Sequence, residues 1–333
     1  MEETTMTITM NHGAGGRIMH EFIHASILAH LGNDLLLRMD DAAVLEPSGP
    51  CKIAMTTDSY VVHPLFFPGG DIGKLAICGT VNDLSTSGAI PRWLTLSFIL
   101  EEGFPLESLD RIIASIGATA REAGVLIVTG DTKVVEKGKG DGIFINTAGV
   151  GFIPEGVNLS THNARPGDSV LINGPMGNHE AALFTVREQL PFTTTIESDA
   201  APLNHLVQKL LGLSSGIRSV KDPTRGGVAS ALWEICDHSS VTITVQEDAL
   251  PVDPQVRGVC ELVGFDPMYM ANEGKIIVVC DSDHKEVLLA AMGPGASCIG
   301  TVCEGAPSLT MATSIGGIRR LSMMENIQLP RIC

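Results

Sequence analysis

Apolar residues along the chain follow two rhythms. A helical rhythm, with apolar positions three and four apart, runs over Ile18 to Leu31, Asp71 to Thr86, Pro105 to Ala123, Pro202 to Leu211, Ala229 to Cys236 and His284 to Ala291. Short apolar or alternating runs predict strands over Lys52 to Thr56, Trp93 to Leu100, Val125 to Thr129, Ile143 to Phe152, Asp168 to Asn173, Ile276 to Cys280, Ser297 to Val302 and Ile315 to Leu321. Interleaved helices and strands predict an α/β fold. The rhythm lapses between Pro154 and Gly167, which predicts a boundary there. Residues 1–154 then form one domain, 155–320 a second α/β domain, and 321–333 a mobile tail with no amphipathic pattern.

Composition narrows this picture. A chain of 333 residues is too long for one ordinary core and suits two domains. The net charge of −16 argues against nucleic acid, whose binding needs clustered Lys and Arg. An acidic protein still takes ATP when its carboxylates hold Mg²⁺ that bridges to the phosphates. No apolar run approaches the ~18 residues that span a bilayer. The start, MEETTMTITM, is acidic and polar rather than an export signal, so the expected location is the cytoplasm. Eight cysteines occur without a CxxC pair, which leaves no sign of a structural zinc site. Cys78, Cys236 and Cys280 lie in apolar runs and read as core residues, whereas Cys333 is the terminal residue. A terminal thiol is either incidental or a carrier that brings a bound group to an active site.

The candidate chemistry lies in the breaks between apolar runs. Asn11-His12-Gly13-Ala14-Gly15-Gly16-Arg17 precedes a helix and is either a phosphate loop or a plain turn. Asp40-Asp41 are poor core residues, so they are solvated or paired with a cation. Asp58 follows a strand, where α/β folds place their sites. Asn82 and Asp83 interrupt an apolar helix and are expected to face a ligand or ion. Gly130-Asp131-Thr132-Lys133 is read as a strand end offering a metal ligand and a phosphate-binding ammonium. In Asp222-Pro223-Thr224-Arg225-Gly226-Gly227, proline and glycines fix a turn whose N–H groups sit beside a guanidinium, suiting an oxyanion or triphosphate. Glu273, before a buried strand, is either a cap or a general base.

Taken together, NHGAGG, TTDSY, FFPGGDIGKLAICGTVNDLSTSGAIPR, VTGDTKVV, DPTRGGV, ANEGK and the terminal PRIC resemble the HypE family, the carbamoyl dehydratases of nickel–iron hydrogenase maturation. The wider superfamily is similar to aminoimidazole ribonucleotide synthetase and selenophosphate synthetase. The resemblance covers essentially the whole chain. It implies a two-domain aminoimidazole ribonucleotide synthetase-like fold with mixed sheets flanked by helices. The first domain would bind ATP and pair into a homodimer. A HypF-type carbamoyltransferase would load Cys333, ATP-dependent dehydration would turn the thiocarboxamide into a thiocyanate, and a HypC–HypD complex would accept the cyanide. On that reading Asp41, Asp58, Asp83 and Asp131 hold Mg²⁺, with Asn82 as a further oxygen ligand. Lys133 and Arg225 neutralise phosphate charge, Asp222, Gly226 and Gly227 help to bind the nucleotide, and Glu273 takes the carboxamide proton. One motif departs from the family: Gly177-Asn178-His179-Glu180 stands where Gly-Asp-His-Gly is more common, so His179 receives no catalytic role.

Overall fold

The computed structural model describes residues 7–9, 12, 21–34, 37, 52–188, 194–324, 329 and 331–333. Asp40, Asp41, Cys51 and most of the first glycine loop lie outside the described residues. In the first half, β1 (Lys52–Tyr60), the short pair β2 (Phe66–Phe67) and β3 (Gly70–Asp71), α1 (Ile72–Thr86), β4 (Ile90–Glu101), α2 (Leu106–Ala123), β5 (Leu126–Val135) and β6 (Ile143–Ile153) follow one another. Four of the strands form a sheet of order β1-β6-β4-β5. β4 and β5 run parallel, joined through α2, and the other pairs are antiparallel.

The sheet buries one face. Leu94, Leu96, Phe98 and Leu100 of β4, with Ile143, Ile145 and Thr147 of β6, point under α1 and α2. Asp71 caps α1 by accepting from the N–H groups of Gly73 (2.7 Å) and Lys74 (3.0 Å). The opposite face stands open among the described residues, with Ile53 63% and Met55 74% exposed and Ile99 and Leu126 nearly half exposed.

The second half contains β7 (Ser169–Ile172), α3 (Asn178–Arg187), α4 (Asn204–Leu213), β8 (Ile217–Lys221), α5 (Gly227–Ser239), β9 (Thr242–Gln246), α6 (Pro254–Val263), β10 (Ile277–Cys280), α7 (Lys285–Met292), β11 (Ser297–Cys303), β12 (Ser308–Ala312) and β13 (Ile318–Leu321). Seven strands form a mixed sheet of order β13-β12-β9-β11-β7-β10-β8, in which only β9 and β12 pair in parallel. One apolar cluster holds α5 against this sheet and another holds α4 and α7. The expected α/β architecture with mixed sheets and flanking helices is met. Among the described residues no helix is long and apolar enough to cross a membrane.

The sequence reading missed β2, β3, β8, β9, β12 and α6, and it cut β1 and β5 short; β1 runs to Tyr60, so Asp58 lies within the strand rather than after it. β5 does not end at Thr129 but runs on to Val135. Gly130 sits inside it because a Cβ there would lie 2.2 Å from the carbonyl oxygen of Leu96. The consequence for Asp131 and Lys133 is large, since both belong to strand rather than to a loop at its end.

The tail returns to the first half. Leu329, Ile332 and Cys333 are buried in the same apolar cluster as Tyr60, Val62, Phe67 and Leu75. The amide of Val61 donates to the Cys333 oxygen (3.1 Å) and that of His63 to Arg331 (3.1 Å), so the last residues run antiparallel beside the end of β1.

Candidate functional site

The site lies where β1, α1, the turn after β8, the loop before β10 and the tail meet. Two backbone devices shape it. Gly226 and Gly227 adopt φ of 78° and 60°, and a Cβ on Gly227 would lie 2.6 Å from the carbonyl oxygens of Met268 and Met270. The turn therefore requires glycine there, as its sequence predicts. The second device is the loop 271–275. Asn272, fully buried, donates to Pro223 O (3.0 Å) and accepts from Gly177 N (2.8 Å), tying this loop to the turn and to the start of α3. The Glu273 amide donates to Asp199 Oδ1 (3.1 Å), and Asp199 pairs with Lys275 (2.9 Å). Gly274 is forced by contact, because a Cβ would lie 1.7 Å from Asp199 O.

These devices aim the chemistry at one place. Arg225 Nε donates to Cys333 Sγ at 3.1 Å. Cys333 is only 7% exposed. Burial and then the charge of Glu273 push its thiol up to about 12, against the opposing pull of Arg225, so it rests protonated near neutral pH. Glu273 is buried, and burial followed by the charges of Asp199, Asp222 and Asp58 holds its carboxyl well above the ordinary range. Burial and then the charge of Asp83 raise Asp222 to about 7. Burial and the charge of Asp58 raise Asp83, although its Oδ2 accepts from Thr56 Oγ1 (2.8 Å). The charges of these acids thus raise their neighbours' proton affinity, with Lys221 opposing the rise at Asp83 and Asp222. Beside the sulfur lies a cavity of about 150 Å³ lined by Glu180, Arg225, Tyr269, Met324 and Ile332.

The structure brings together Cys333, Arg225, Glu273, Asp58, Asp83, Asp222, Gly226 and Gly227. It does not use Asn82 as expected. That side chain is 3% exposed, donates to Ala201 O (3.1 Å) and Glu273 O (3.3 Å), and accepts from Leu203 N (2.8 Å). Its amide clasps α1 to the second half, and its oxygen is already engaged by a backbone donor. Asp131 and Lys133 lie apart from these residues. Register sets them opposite Ser97 and Ile99 of β4, on the open face of the sheet, whereas Phe98 and Thr132 between them point inward. There they pair with each other (3.2 Å), more than half exposed, away from the sulfur. Asp41 lies outside the described residues. Among the described residues no three His, Cys, Asp or Glu side chains form a ready metal cage. Asn272, Asp199 and Lys275 were missed because each acts on backbone or on another positioning residue, and only ANEGK hinted at two of them.

The fold and this site define a class before they define a protein. The N-terminal domain of the AIR synthase related proteins matches residues 39–153, and their C-terminal domain matches 165–311. The chain is 49% identical over 332 residues to carbamoyl dehydratase HypE of Cupriavidus necator, an alignment covering 98% of this chain and 95% of that one. It resembles the crystal structure of hydrogenase maturation protein HypE in complex with ATP, with a TM-score of 0.94, 46% identity, and coverage of 98% of this chain and 100% of that chain. It also resembles the crystal structure of a HypE–HypF complex, with a TM-score of 0.80, 48% identity, and coverage of 93% and 100%. The chain belongs to the carbamoyl dehydratase HypE family of AIR synthase related proteins.

Proposed function

We propose that the chain dehydrates an S-carbamoyl group on its own Cys333 to a thiocyanate at the expense of ATP, supplying the cyanide ligand of nickel–iron hydrogenase. The observation that carries this reading is the terminal thiol seated against a guanidinium and beside a buried carboxyl, among acids that repel one another. A carboxamide oxygen is a poor leaving group. Phosphorylating it with the γ-phosphoryl of ATP gives an iminophosphate and ADP, with loss of one N–H proton. Loss of the second N–H proton expels phosphate and leaves the S–C≡N group, so oxygen departs as phosphate and every atom is accounted for. Glu273 takes a nitrogen-bound proton, a task helped by its raised proton affinity. Arg225 is placed to offset charge on the phosphorylated oxygen. Burial of the sulfur keeps water from the reactive intermediates.

The mutual repulsion of Asp58, Asp83 and Asp222 suits Mg²⁺ bound together with nucleotide phosphates, which would supply charge neutralisation for phosphoryl transfer. The relative crystallised with ATP supports the nucleotide. The open sheet face suits a homodimer, in which Asp131 and Lys133 would lie at the seam and could complete a neighbour's nucleotide site. A HypF-type carbamoyltransferase is the carbamoyl donor, in keeping with the relative crystallised with HypF, and a HypC–HypD complex is the cyanide acceptor. The reaction takes place in the cytoplasm. Cys333→Ala should abolish carbamoyl adduct formation while nucleotide binding persists; loss of both would make the tail structural and overturn this division of labour.

A further inference from the structure

His179 has no part in the chemistry above, yet it is fully buried and lies against the tail. Its Nε2 is 2.6 Å from the carbonyl oxygen of Ile332, and its Nδ1 is 2.7 Å from Ser198 Oγ. A carbonyl oxygen only accepts, so Nε2 must carry the proton. Nδ1 of the neutral ring then accepts, and Ser198 must donate to it. The serine oxygen is free to do so because it in turn accepts from the Ala200 amide at 3.1 Å. Every donor in the series Ala200 N–H, Ser198 O–H and His179 Nε2–H has one acceptor, and the series ends on the residue bonded to Cys333. Burial lowers the proton affinity of the ring, in keeping with the neutral form this series needs. Phe67 packs edge-on against the imidazole at 5.6 Å and fixes its plane.

The other bonds to the tail fall on either side of Ile332. Arg187 donates to Arg331 O, Arg331 pairs with Asp141, and Val61 N holds the Cys333 oxygen. Arg331 itself is left-handed, with φ of 57°, a conformation disfavoured for a side chain of its kind. The docked path is therefore bent at Arg331, and the Ile332 carbonyl is the point at which the body can set the chain direction just before the sulfur.

We propose that His179 is a positioning residue of the reaction: through Ile332 its Nε2–H sets the Cys333 sulfur against Arg225 and beside Glu273. The proposal adds a role to the dehydration read above, but its first test needs no turnover. The full-length protein, free of carbamoyl, is treated with iodoacetamide, and alkylation of the C-terminal peptide is followed by mass spectrometry. Cys78, fully buried in the core, serves as the internal report of unfolding. In His179→Asn, whose amide cannot reach Ile332, Cys333 should alkylate about tenfold faster while Cys78 stays protected, the effect of losing one buried hydrogen bond. His179→Gln, whose amide nitrogen can occupy the Nε2 position, should restore most of the protection. Ser198→Ala removes the donor that fixes the tautomer and should give an intermediate rate, which keeps the test decisive if His179→Asn does not fold. With carbamoylated protein, the Asn variant should lower kcat for water loss and leave the KM for ATP unchanged. Wild-type alkylation rates in Asn and Ala variants that keep Cys78 protected would overturn the proposal, as would a Gln variant as exposed as the Asn one. A tail that responds as expected in a protein that never dehydrates its carbamoyl group would keep the latch and sink the enzymatic reading instead.

Discussion

Glu273 and Glu180 show what burial does to a carboxyl in two different settings. Glu273 sits among acids and beside Arg225, and burial followed by those acids' charges raises its proton affinity, which makes it a stronger base than an ordinary carboxylate. The rate of water loss from carbamoylated protein should therefore climb as rising pH empties this carboxyl, over a range displaced upward from that of an ordinary glutamate. Glu273→Gln should lower that rate by about 10²–10⁴-fold, remove the pH dependence and leave carbamoylated protein to accumulate. Unchanged single-turnover rates would take Glu273 out of the mechanism. Glu180, 2% exposed, has one oxygen bonded to Ala271 N (2.7 Å) and the other without a partner among the described residues, and burial lifts it to about 7. Its folded form holds the proton more tightly than the unfolded chain, so its favourable contribution is full below the unfolded value and is lost as pH rises to about 7. Glu180→Gln copies the protonated carboxyl. It should match wild type near pH 4 and exceed it by about 1–3 kcal/mol at pH 8 in urea unfolding. At this scale the sequence was informative wherever a residue's chemistry broke its surroundings, as Asp58, Asp83, Arg225 and Cys333 do. Where a polar side chain serves backbone it was silent, as at Asn272, or pointed to a ligand instead, as at Asn82.

The elements convert those residues into a site through register and close contact. α1 carries Asp83 toward the acid cluster and Asn82 into a clasp one residue earlier, a separation of roles that helical geometry allows because consecutive side chains diverge by about 100°. Asn82→Asp should be destabilising by about 2–4 kcal/mol in denaturant unfolding, because a carboxylate would then face the carbonyls of Ala201 and Glu273. Retained stability, with nucleotide binding strengthened, would return Asn82 to the metal-ligand role its sequence position implied. β5 teaches the complementary lesson. Gly130 reads as a strand end in sequence, but the close approach of Leu96 O makes it a mid-strand requirement, and alternation then sends Asp131 and Lys133 to the open face. β9 and β12 alternate Thr or Ser with apolar residues over their first four positions, too short a run to stand out before their partners are known. The long helix α2 was legible because a persistent 3.6-residue pattern needs no partner to be recognised, and α1 because its apolar run is too long for a strand.

The whole molecule has two halves whose meeting line is the site, with the tail as its last wall. The first half leaves Ile53, Met55, Ile99 and Leu126 on an open sheet face together with Asp131 and Lys133. If that face pairs two copies, Met55→Glu should yield monomers in sedimentation velocity and lower ATP turnover with them. A monomeric variant of full activity would confine catalysis to one chain. A single end-point decides the larger account. Cys333 is first carbamoylated, Mg²⁺ and ATP are then added in the absence of any acceptor, and the mass of the C-terminal peptide is followed alongside ADP formation. The account predicts that the adduct loses one water for each ADP formed, in wild type but not in Glu273→Gln. An adduct whose mass stays constant while ATP is consumed, or one that loses water without nucleotide, would contradict it.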